Sequence, residues 1–144
     1  MKNFEFFHGA ALTRIIHANI FDSIKCYSNS NASYIINNNI GIYIKYSQKR
    51  MSPWIFSFSE THINEVKEIK NAFNKICVVF VCGDNGIACL SYEEFVAVIS
   101  IENKNFPKWI KMSRMKGQKY SVAGSDGTLR HKIGDSDFPT KIYE

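Results

Sequence analysis

Eight basic side chains fall within one short stretch of the chain: Lys108, Lys111, Arg114, Lys116, Lys119, Arg130, His131 and Lys132. They alternate with Trp109 and Tyr120. In an extended strand successive side chains face opposite ways, so every second residue shares a face. Hairpin strands over this region would therefore gather many of the bases on one surface. Such a surface tracks a phosphate backbone, and aromatic side chains within it offer stacking platforms for bases. Lys111 and Lys119, with Arg114 and Lys116 near the turn between them, are the leading contacts, and Arg130 and Lys132 complete the set. The competing reading is an ordinary solvated face. Lys outnumbers Arg fourteen to four, and thirteen Asn and nineteen Ile accompany it. That bias fits A/T-rich coding as well as it fits a function.

Other residues able to do chemistry are less well placed. The histidines, His8, His17, His62 and His131, show no ligand spacing, and His62 is expected to face solvent in the first turn of a helix. Cys26, Cys77, Cys82 and Cys89 contain no C-x-x-C pair, so reduced, buried thiols are expected and a zinc site is not. Gly124-Ser125-Asp126-Gly127 reads as a turn. No phosphate-loop Lys follows its second Gly and no long helix starts there.

The elements that must position these groups follow from composition and periodicity. The chain has 144 residues, 45% apolar and 22% charged, which is the balance of a single globular domain with its own core. No run of about 18 apolar residues occurs, so a membrane partner is not expected. The first residues lack a secretory pattern, and a cytoplasmic location is expected. The net charge of +5 is uneven. Residues 1–50 and 101–144 each carry +4, while 51–100 carries −3. An anionic partner fits the basic ends.

Helical spacing of Phe7, Ala11, Ile15 and Ala18, and of Leu12, Ile16 and Ile20, predicts a helix over the first 25 residues. Residues 26–31 read as a polar turn. Strands follow at 33–36 and 41–47, joined by Asn37-Asn38-Asn39, with a third at 54–59. A helix with the stripe Ile63, Val66, Ile69 and Phe73 comes next, and Glu65 is expected to face water on it. Residues 77–82 form a strand covered on both faces, and 87–90 a short one. Ser91 and Glu94 form a capping box, with Leu90 and Phe95 placed as its staple. Short strands at 109–114, 119–123 and 128–133 end the chain. The expected architecture is α/β (α+β). It is one domain, with residues 1–100 as a mixed sheet flanked by helices and 101–144 as a basic antiparallel β extension.

The order of helix, antiparallel three-strand unit, helix and strand over residues 4–82 resembles the PD-(D/E)xK, or restriction-endonuclease-like, superfamily. That resemblance implies an acidic-x-Lys triplet on a core strand, an upstream Asp, and carboxylates holding Mg²⁺. The matching strand reads Tyr43-Ile44-Lys45. Lys45 is present, Tyr43 stands where the second carboxylate belongs, and Asn37 or Asn38 falls where the upstream Asp would be. An amide does not bring the negative charge that a hard cation prefers. Glu60 and Glu5 are the carboxylates that would have to migrate into the site. Glu60 also reads as an acid suited to a helix N-terminus, and Lys45 as an edge-strand Lys.

Three functions follow as expectations. The first is a DNA- or RNA-binding protein with a nuclease-like, non-cleaving core and no cofactor, of the kind met in phage defence or counter-defence. The second is a Mg²⁺-dependent nuclease using Lys45 and Glu60. The third is a protein-interaction module, such as an immunity protein, antitoxin or inhibitor. The assembly state, a homodimer included, is left open.

Overall fold

The computed structural model describes residues 1–144 apart from Ile20 and Asn29. Expectations falling on those two, the last helical repeat and part of the polar turn, lie outside the described residues. The described residues form a mixed α+β fold of three α-helices, two short 3-10 helices and two sheets.

The larger sheet has five strands: β1 (Ile24–Cys26), β2 (Ser33–Ile36), β3 (Ile40–Ser47), β5 (Lys75–Cys82) and β6 (Gly86–Ser91), side by side in that order. β1, β2 and β3 run antiparallel, β3 and β5 parallel, and β5 and β6 antiparallel. Asn37 and Asn38 turn the β2–β3 hairpin at φ 56° and 62°. Asparagine takes this left-handed conformation at little cost, which explains the Asn run. β5 lies between β3 and β6 and is buried along nearly its whole length, as its unbroken apolar run requires.

Alternation along β3 and β5 creates two cores. Ile42, Ile44, Cys77 and Val79 face α1 (Asn3–Ala18), whose Ala11 and Ile15 are fully buried, and the C-terminal residues Phe138 and Ile142. Tyr43, Val78, Phe80 and Cys82 face the other way, into a larger core. α2 (Glu60–Ala72) supplies Ile63, Val66 and Ile69 to that core. α3 (Tyr92–Val98) supplies Phe95. Its capping box is present, with Glu94 N donating to Ser91 Oγ at 3.2 Å and Ser91 N to Glu94 Oε1 at 2.9 Å. Leu90 and Phe95 are both fully buried beside it.

The smaller sheet is where the structure departs from expectation. β4 (Trp54–Phe58) does not join β3. It pairs antiparallel with β7 (Lys108–Ser113), which continues to β8 (Ser121–Gly124) and β9 (Gly127–Thr128). The antiparallel three-strand unit is therefore β1-β2-β3: the first helix stops at Ala18, short of the expected 25 residues, and β1 takes up the end of that stretch and Cys26, the first residue of the expected polar turn. The reason is geometric. The free edge of β3 is taken by β5, while Trp54, Phe56 and Phe58 need an apolar partner. They find it by lying over Phe80 and Phe95, with ring centroids 4.9 Å apart for Phe56–Phe80 and 5.4 Å for Phe58–Phe95. Residues 101–144 bury Ile110, Met112, Tyr120, Val122 and Ile133 in this same core. The expected strand at 128–133 is mostly irregular, held by a single bridge between Tyr120 and Ile133.

Candidate nucleic-acid interface and the Lys45 cleft

β7 alternates strictly: Lys108, Ile110 and Met112 are buried, and Trp109 and Lys111 are exposed. Lys108 is consequently not a surface base. Its Nζ lies 2.9 Å from Asp126 Oδ2 and 2.5 Å from Asn103 Oδ1, and 5.5 Å from the centre of the Phe106 ring. Asp126 is in the Gly124–Gly127 turn. The turn is locked against α3: Asp126 N donates to the Val98 carbonyl, and a Cβ on Gly127 would sit 2.2 Å from the Ala97 oxygen. That stretch is a structural clasp.

The outer face of the small sheet brings together bases from distant parts of the C-terminal third. Lys111, Arg130, His131 and Lys132 line one shallow groove with Ser113, Ser121 and Thr128. Lys119 and Lys132 line the adjoining one, which shares Ser113 and Ser121. Lys111, Lys119, Arg130 and Lys132 are all exposed, and among the described residues none of them forms an ion pair or a hydrogen bond. Lys116 is exposed at the tip of the β7–β8 connection. His131 turns aside to Glu94, with Nε2 2.5 Å from Oε2. Arg114 borders the second groove, but its guanidinium is spent inside the fold. Nε donates to Asn85 Oδ1 at 2.7 Å, one terminal nitrogen to the Asn85 carbonyl at 2.8 Å and the other to the Gln118 carbonyl, while the plane lies over Tyr120.

At one end of this face stand two exposed apolar side chains. Trp109 is 40% exposed and Ile55, on β4, is 57% exposed. The register places Ser57 opposite Trp109 and Ile55 opposite Lys111, so indole and aliphatic chain are diagonal neighbours beside the base.

Lys45 lies elsewhere, near the end of β3 where β2 has already stopped. It borders an open cleft of about 480 Å³ lined also by Phe4, His8, Asn31, Tyr43, Tyr46 and His62. Its Nζ is 3.4 Å from His62 Nδ1 and 4.8 Å from the centre of the Phe58 ring. Burial pulls the Lys45 pKa down to about 8, against the opposing pull of the Glu65 carboxylate. His62 is half-buried, its N-H donating to Ser59 Oγ while its Nδ1 accepts from Ser59 N at 3.2 Å. Its pKa is lowered by burial and then by the Lys45 charge. Glu65 points inwards too, with Tyr43 Oη donating to Oε1 at 2.7 Å. Tyr43 and Lys45 share one face of β3, and His62 and Glu65 one face of α2, three residues apart. On the same cleft, His8 Nδ1 is 2.9 Å from Tyr34 Oη, and burial holds the His8 pKa at about 4 despite a backbone contact from Asn31.

The sequence placed neither His62 nor Glu65 at this site. The signal available was their three-residue spacing opposite Tyr43 and Lys45, which becomes visible only once β3 and α2 are known to pack together. Glu60 is exposed and lines a different groove with Asn64, Lys67 and Glu102. Asn37 sits at the far end of the β2–β3 hairpin from Lys45, its Oδ1 accepting from the backbone of Asp22 and Ser23. One carboxylate and one imidazole therefore stand near Lys45. Among the described residues no group of three or more His, Cys, Asp or Glu could hold a metal ion. The donor set does not fit Mg²⁺, which favours several oxygen ligands. Cys77, Cys82 and Cys89 are buried and Cys26 exposed, all as free thiols. No helix of the described residues is long and apolar enough to cross a membrane.

No family model, curated protein or solved structure matches this chain.

Proposed function

We propose that this protein binds nucleic acid through the outer face of its small sheet, and that its larger sheet is a nuclease-like core that does not cut. One observation carries the reading: Lys111, Lys119, Arg130 and Lys132 converge on two adjoining grooves without an acidic partner among the described residues. Four unneutralised charges on one surface repel each other, and a phosphate backbone relieves that repulsion while releasing its own counterions. The hydroxyls of Ser113, Ser121 and Thr128 line the same grooves and can donate to phosphate oxygens. The non-cleaving half rests on the residues around Lys45, where Tyr43 and one engaged carboxylate replace an acidic pair.

The test is a binding titration at several salt concentrations. Four phosphate contacts predict that log K falls against log salt with a slope of about −3 to −4. Incubation of the same substrates with Mg²⁺ or Mn²⁺ should leave them intact. Affinity that ignores salt, or no retention at low salt, would remove the binding reading. Metal-dependent cleavage abolished by Lys45→Ala would replace it with the nuclease.

A further inference from the structure

We propose that the nucleic acid on this face is single-stranded, with an unpaired base stacking on Trp109. The inference rests on the binding reading above and names its substrate class. Trp109 is the exposed tryptophan of the chain, held by a β7 backbone paired on both sides to β4 and β8. It is 40% exposed, and its diagonal neighbour Ile55 is more exposed still. Two large apolar side chains next to Lys111, which has no ion-pair partner among the described residues, make a platform of mixed character: hydrophobic enough for a base, charged enough for its phosphate.

A duplex cannot use such a platform. Its base faces are stacked on one another, and only base edges and the sugar-phosphate backbone are presented outwards. An unpaired base has a free π-face, and stacking on an aromatic side chain serves any sequence. The surface between Trp109 and Arg130 matches an extended strand. Its central positions are small, with Ser113, Ser121, Ala123 and Thr128 leaving a shallow trough of about 200 Å³. A backbone laid along that trough meets Lys111 beside the stacked base, then Arg130 and Lys132.

The chain carries its own reporter. It has two tryptophans. Trp54 is fully buried, with Nε1 donating to the Lys49 carbonyl at 2.8 Å, so contact quenching by a bound base falls on Trp109. Oligothymidylate and oligouridylate of about twelve nucleotides, within the site size of such surfaces, are titrated against a duplex of equal length. The expected result is quenching by both single strands and affinity at least tenfold above the duplex. Trp109→Ala should lower single-strand affinity roughly tenfold, the equivalent of one stacked base, and Trp109→Phe should recover most of it. Duplex affinity equal to single-strand affinity, binding without quenching, or an unchanged Trp109→Ala would overturn single-strand recognition while leaving nucleic-acid binding in place. Absence of binding by every probe at low salt would overturn both.

Discussion

Lys108 and Lys111 stand three residues apart on one strand and face opposite sides of it: Lys108 is sealed beneath the sheet against Asp126, and Lys111 is open above it. The same residue type thus holds the fold together at one position and presents charge at the other. Only the Lys108 end of this pair is buried, and its ammonium loses most when the charge facing it is removed. Asp126→Asn takes away that charge while keeping an acceptor oxygen, and should cost about 1–3 kcal/mol in urea unfolding. Lys111→Ala should stay within about 0.5 kcal/mol of the parent. Equal losses for the two variants would refute the division.

Binding should divide along the same line. Lys111→Ala, Lys119→Ala, Arg130→Ala and Lys132→Ala should each reduce the steepness of the salt dependence by about one unit, with little effect on stability. Arg114→Ala should behave in the opposite way. It breaks the bonds to Asn85 and Gln118 and should destabilise the chain by about 1–3 kcal/mol. If Arg114→Ala changes the salt slope as much as Lys111→Ala does, the guanidinium is available to phosphate after all.

The buried histidine of α1, His8, should make stability depend on mildly acidic pH. His8 is 4% exposed and its pKa falls from 6.5 to about 4 on folding. Between those values the unfolded chain holds the proton that the native chain refuses, so stability rises with pH. It is fully present above about 6.5, declines as pH falls towards 4, and levels off below. The full loss should be on the order of 3 kcal/mol by the standard conversion. Unfolding curves at pH 4.5 and 7 should converge in His8→Gln relative to the parent. A parent whose stability does not change over this window would contradict the assignment.

Lys45 should be recognisable by its reactivity. With a pKa near 8 in place of 10.5, its amine is half deprotonated where ordinary lysines are fully charged. Acylation followed by peptide mass spectrometry should give a midpoint near pH 8 at this residue. Glu65→Gln removes the charge that opposes the shift, and should move the midpoint lower. A midpoint above 10 would mean that the ammonium is fully hydrated.

Much of this arrangement was legible in the chain itself, and the remainder was hidden for identifiable reasons. The β2–β3 hairpin, α2, β5 and the Ser91–Glu94 cap rest on local signals: Asn turns, apolar spacing and capping chemistry. Periodicity found the β4 strand but sequence order put it in the wrong sheet, because pairing with β7 is a long-range choice decided by where Trp54, Phe56 and Phe58 can be buried. Lys108 shows a similar limit. The sequence grouped it with the clustered bases, and only the clasp at Asp126 makes burial of its charge tolerable. The bases at 111, 119, 130 and 132 were visible as a cluster, yet their convergence depends on the irregular run from Leu129 to Ile133. Arg114 was indistinguishable from them by type. Its role is set by Asn85, which belongs to a turn of the other sheet.

The pairing of Trp54 with Met112 has a consequence in time. During synthesis β4 emerges about halfway before its partner, and closing so long a loop is an entropic cost met only when β7 arrives. Until then the aromatic face of β4 has no mate, and the groove later lined by Lys111 and Lys132 does not exist. The proposed binding face is therefore assembled only after the segment that carries Arg130 and Lys132 has been made. Shortening the chain from the C-terminus should abolish the cooperative unfolding of the whole molecule together with its surface chemistry.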